Sequence, residues 1–118
     1  GAAFDPPDRQ DAAVIVKNDV LVALQPHLGA RAGITAKALA EQLATNARQV
    51  RHLVTELRLD GIAICGHPTT GYFIASNAEE LEGTCKFLRS RAMHSLVLES
   101  KLRHVPLPDL LGQMRLKT

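Results

Sequence analysis

The stretch "TAKALAEQLATNARQVRHLVTELRLDGIAI", Thr35 to Ile64, decides the fold. Val50, Leu53, Val54 and Leu57 fall at i, i+3, i+4 and i+7, the spacing that turns one face of a helix toward a core. This sets a helix from about Ala47 to Asp60, closed by Gly61 at the position where a left-handed residue is favoured. Upstream, Thr35 is placed to cap a shorter helix, Ala36 to Ala44, with Leu39, Ala40 and Leu43 on its inner face. Between the two, "TN" at residues 45 and 46 leaves room only for a tight break, and Thr45 is the expected cap of the second helix. With the inner positions assigned, Asn46, Arg48, Gln49, Arg51, His52 and Thr55 face outward. By itself that is an amphipathic helix with a polar back, as any solvated surface helix has.

The flanks give the polar back a context. Before it, Asp11 can cap a helix reaching Leu24 or Gln25, with Val14, Ile15, Leu21, Val22 and Leu24 as a broad apolar stripe. Pro26 stops that helix and "GARAG" follows as a loop. After Gly61 the period changes. "IAIC" and "YFIA" are β-prone segments joined by "GHPTTG", which reads as a hairpin with its tip at His67 to Gly71. Ser76–Glu79 and Asn77–Glu80 both have capping-box spacing and open a long helix. It can reach His104 before Pro106, carrying Leu81, Cys85, Leu88, Ala92 and Leu96 on one stripe. The fold class expected is mainly α with a small β-hairpin. The organisation expected is a flexible arm over 1–10, a compact unit over 11–76, a long helix over 77–104 and a tail over 105–118.

Composition sets limits. One compact domain fits 118 residues, and two well-cored ones do not. Only Phe4, Tyr72, Phe73 and Phe87 are aromatic, so the core must be aliphatic. The net charge of +2 does not by itself point to nucleic acid. From Thr35 to Ala78, four Lys/Arg (Lys37, Arg48, Arg51, Arg58) stand against three Asp/Glu (Glu41, Glu56, Asp60), so any DNA contact comes from placement rather than bulk charge. Two cysteines without paired spacing give no disulfide framework, and a reducing, cytoplasmic setting is expected. No apolar run approaches the ~20 residues that span a bilayer, and no charged-then-apolar leader opens the chain, so neither a membrane partner nor a signal peptide is expected.

The run "GITAKALAEQLATNARQVRHLVTELRLDGIAI…GYFIA" resembles the winged form of the helix-turn-helix DNA-binding domain, over roughly Asp11 to Ala75. The continuation "GYFIASNAEELEGTCKFLRSRAMHSL" is similar to small helix-turn-helix proteins encoded by prophages. The resemblance implies sequence-specific binding of double-stranded DNA, with the third helix in the major groove, the helix before it bracing the backbone, and a role in transcription regulation. The residue types suit the task. Arg48 and Arg51 can pair bidentately with guanine, and Asn46 and Gln49 with adenine. His52 and Thr55 lie on the same back, while Lys37 and Thr45 are placed for phosphates. The hairpin tip is then the wing, with His67, Thr69 and Thr70 as donors, but it lacks the Lys or Arg that basic wings carry.

No enzyme is expected. Cys65, His67, Cys85 and His94 lack the paired spacing of a metal site, no motif orients either cysteine as a nucleophile, and no phosphate loop is present. No cofactor is therefore expected. The last helix is longer than so small a domain needs. Leu88, Met93, Leu96, Val97, Leu98 and Leu102 are expected to find a partner, either a second copy in a homodimer or the chain's own "PLPDLLGQMRL" folded back. Two other roles compete with transcription regulation. One is a replication or recombination factor of a phage or plasmid. The other is a winged-helix interaction module without DNA binding, which the near-neutral charge and uncharged wing tip would suit.

Overall fold

A computed structural model describes residues 14–105. Asp11, the arm at 1–10 and the tail from Pro106 onward lie outside them. The described chain is mainly helical, with one two-stranded antiparallel hairpin and a long last helix, the fold class expected from sequence. It divides into two compact units, with the division after Thr84.

The first unit opens with α1, Lys17–Leu24. The helix begins later than Asp11 because Val16 is its cap residue, and the Asp19 carboxylate accepts the Val16 N–H at 2.9 Å. Val20, Ala23 and Leu24 turn inward. Val14 and Val22, expected on the buried stripe, are exposed instead, because the i, i+3, i+4 line through Val20 leaves Val22 on the far side. A 3₁₀ turn, Ala30–Ala32, follows Pro26. Helix α2, Ala36–Gln42, starts where Thr35 Oγ1 accepts the Ala38 N–H. Helix α3, Ala47–Leu59, ends at Gly61, whose φ of +91° is the left-handed stop the sequence requires. Leu39 and Ala40 from α2 and Val50, Leu53, Val54 and Leu57 from α3 join the α1 residues in one core with Ile64. Each of these larger side chains contributes about 1.5–3 kcal/mol by leaving water.

The strands are β1, Ile64–His67, and β2, Gly71–Ile74, with Cys65 opposite Phe73 and Gly66 opposite Tyr72. Cys65 and Phe73 are buried. The "GARAG" region, expected as loop only, also joins the sheet edge. Ile34 and Tyr72 exchange both backbone hydrogen bonds at 2.9 and 2.7 Å, and Leu28 bridges Ile74. That approach is possible because Gly33 and Gly71 have no side chains. A Cβ at Gly33 would run into the Thr70 carbonyl, and one at Gly71 into the Ile34 carbonyl.

Helix α4, Ala78–Arg103, starts with Asn77 Oδ1 accepting the Glu80 N–H at 2.8 Å. The reciprocal half of the box differs from expectation. Glu80 reaches past Asn77 to the Ser76 N–H and hydroxyl, both 2.8 Å, and to the Ala30 N–H at 3.0 Å. Thr84 Oγ1 accepts the Gly66 N–H, so one line of α4 meets the hairpin. The stripe Leu81, Cys85, Leu88 runs about 80° around the helix from Glu80 and Thr84. Leu81, Cys85 and Leu88 are exposed.

The Glu80 contacts carry a pH signature. The Ser76 N–H, then the Ala30 N–H and the Ser76 hydroxyl, hold its carboxyl below the usual 4.5. A depressed folded value means the contribution is present above 4.5 and is lost as pH falls through the folded value. Glu80→Gln is expected to lower the urea midpoint at pH 7, with the gap to the parent chain closing below pH 4. A gap independent of pH would show that the carboxylate charge is not what these donors hold.

Candidate nucleic-acid interface

The turn between α2 and α3 sets how α3 is presented. Ala44 takes a left-handed φ of +57°, unusual for a residue with a Cβ, and reverses the chain in one step. The Thr45 N–H donates to the Ala40 carbonyl at 2.9 Å, which leaves the hydroxyl rather than the N–H for a phosphate. Thr45 is not the cap. Asn46 is, its Oδ1 accepting the Gln49 N–H at 2.8 Å, because Asn46 is the residue directly before the first helical turn. Asn46 keeps its carboxamide NH₂ as the group that can donate to a ligand.

At about 100° per residue, Arg48, Thr55 and His52 point opposite the Val50–Leu57 face, with Arg51 on one flank and Gln49 on the other. Arg48, Arg51, His52 and Thr55 are exposed and Gln49 is half-buried. Not all are equally available. The Thr55 hydroxyl donates to the Arg51 carbonyl at 3.0 Å, which leaves its lone pairs and methyl outward. His52 Nε2 lies 3.1 Å from a Glu56 oxygen, which ties its ring to the helix. Arg48 and Arg51 are thus the cationic groups of this face, set near the positive end of the α3 dipole. Lys37 is exposed on the first turn of α2.

At the hairpin tip, the Thr69 N–H donates to His67 Nδ1 at 3.0 Å. That bond puts the neutral ring's proton on Nε2, which can donate outward. His67, Thr69 and Thr70 are all exposed.

Three features escaped the sequence reading. Arg58, on α3 but not a reader, donates through Nε to the Ile64 carbonyl at 2.8 Å, and its guanidinium lies 5.8 Å from the Tyr72 ring centre. It fixes the hairpin to α3. Gly66 makes room for it, since an added Cβ there would sit 3.1 Å from the Arg58 guanidinium. Leu59 ends the outward face 82% exposed, an apolar side chain in line with Arg48 and Thr55. Lys17 is taken up by Asp60 at 2.6 Å, and that hydrogen bond holds its ammonium above the usual 10.5. The Gly66–Tyr72 pairing across the hairpin was the signal that could have found Arg58.

No described helix is long and apolar enough to cross a membrane. Compared with protein-family models, with curated proteins and with solved structures, the chain matches none.

Proposed function

We propose that this chain is a winged helix-turn-helix protein that binds double-stranded DNA sequence-specifically and regulates transcription. One observation carries the reading. A tight left-handed turn after α2 presents α3 with Arg48 and Arg51 exposed opposite the core, and Asn46 at the helix start. A helix fits the major groove, and its first turns reach base edges. Arg48 and Arg51 read guanine, and Gln49 and the Asn46 NH₂ read adenine. Lys37 and His67 Nε2 meet phosphates, with Thr69 and Thr70 beside them. A cytoplasmic setting goes with this role, and the two free cysteines support it.

The chain acts as a homodimer through α4, in keeping with palindromic sites. Leu88, Met93, Leu96, Val97, Leu98 and Leu102 are between 43 and 72% exposed, a large apolar surface for a monomer to carry. A rival role as an interaction module draws on the hairpin tip, which holds no Lys or Arg. Titration with mixed-sequence duplex at low salt separates the two. A mobility shift is expected, and no shift with excess duplex overturns the DNA reading.

A further inference from the structure

We infer that Arg58 is a positioning residue that sets the wing on the DNA backbone, on the Arg51 flank of α3. The inference rests on the DNA-binding reading above and adds to it which flank the wing serves and which side chain holds it there.

The two flanks of α3 differ in charge. Counted from Arg48 at about 100° per residue, Arg51 and Arg58 fall on one flank, at roughly −60° and −80°. Gln49, Glu56 and Asp60 fall on the other, at roughly +100°, +80° and +120°. Among the described residues, neither Arg51 nor Arg58 pairs with a carboxylate. A polyanion is drawn to the arginine flank and turned from the acidic one.

The wing stands on that arginine flank because Arg58 ties it there. Two backbone groups of β1 are taken by side chains. The Ile64 carbonyl accepts from Arg58 Nε at 2.8 Å, and the Gly66 N–H donates to Thr84 Oγ1 at 3.2 Å. The Arg58 guanidinium reaches on to Gly66 and lies over the Tyr72 ring. Gly66 and Tyr72 pair across the hairpin, and the next pair is His67 with Gly71, which closes it. The clamp therefore grips both strands one residue from the tip.

The tip needs such a setting. Its donors are the short side chains His67, Thr69 and Thr70, with no Lys or Arg among them. A short neutral donor serves a phosphate only within about 2.7–3.2 Å, and no long cationic chain can make up a misplacement. What the wing contributes is thus decided by where it is held rather than by its charge.

The full chain is tested at pH 8 on a duplex it selects from random sequence. Phosphate ethylation interference should show a cluster that vanishes when His67→Ala, Thr69→Ala and Thr70→Ala are combined. That cluster should lie nearer the base whose discrimination Arg51→Ala relaxes than the one relaxed by Gln49→Ala. Arg58→Met should lose the same cluster and weaken binding about tenfold, at an unchanged salt slope. In the tip-substituted chain it should cost nothing further, because positions acting through one contact are not additive. Arg58→Lys keeps the charge without the Nε donor or the planar face, and should behave as Arg58→Met. Where Arg58→Met does not fold, Gly66→Ala carries the same cycle, since its Cβ presses on the guanidinium from 3.1 Å. No tip-dependent cluster, a cluster nearer the Gln49 base, losses that multiply, rescue by lysine or a shallower salt slope each overturns the positioning role and leaves DNA binding standing. A parent chain that binds no duplex overturns the DNA reading itself.

Discussion

Gly71→Ala should lower the stability of the first unit by about 3 kcal/mol, a large share of the ~5–15 kcal/mol typical of a small domain. Two costs add. Gly71 sits at φ +83°, where a residue with a Cβ loses roughly 1–2 kcal/mol. The new Cβ would also press on the Ile34 carbonyl, forcing apart the pair in which Ile34 and Tyr72 exchange hydrogen bonds at 2.9 and 2.7 Å. Each bond lost costs about 1 kcal/mol. Gly61 separates the two costs. Its φ is +91°, but a Cβ there meets nothing within 4 Å, so Gly61→Ala should cost only the conformational part. Urea unfolding of both variants at unchanged slope reads the difference. Equal losses would mean that the Gly33–Gly71 approach is not what holds the "GARAG" segment to the sheet.

The second large effect is on binding. Arg48→Ala combined with Arg51→Ala should weaken specific duplex binding by about 4 kcal/mol, roughly a thousandfold, at ~1–3 kcal/mol for each bidentate base contact. Both side chains are exposed, so the doubly substituted chain should keep its urea midpoint to within about 0.5 kcal/mol. Loss of affinity with intact folding is the signature of a reading face. Affinity unchanged in the double variant would remove α3 from the interface. The prediction is sharper than the sequence allowed, because the structure shows Thr55 and His52 partly committed to Arg51 and Glu56.

Much of the fold was legible because local rules and core packing agree. The period of Val50, Leu53, Val54 and Leu57, the Thr35 cap and the Gly61 stop fixed α2 and α3 to within a residue or two. The hairpin followed from its Gly and Pro tip. What escaped depends on contacts distant in sequence. Ile34 joins the sheet only because two glycines 38 residues apart allow it, counting from Gly33 to Gly71, and no local pattern marks that pair. Helix α1 starts at Lys17 because Val16 is its cap residue, held by the Asp19 carboxylate from within the first turn. Thr45 and Asn46 are both good caps, and only the chain path through Ala44 chooses between them. On α4 the apolar stripe was visible, but which line meets the hairpin was decided by Glu80 and Thr84, two polar residues. Arg58 shows the same limit within the candidate site. In the sequence it is a charge without a role, whereas its carbonyl and ring partners make it a brace.

The central claim, that α3 meets DNA, is tested most directly by measuring duplex affinity across salt concentrations. With Lys37 as the cation set on a phosphate, log affinity should fall against log salt with a slope of roughly −1 per copy. The doubly substituted arginine variant should lose affinity and sequence discrimination while keeping that slope. No measurable affinity for any duplex at ~20 mM salt, a condition in which even non-specific contacts are strong, would contradict the account.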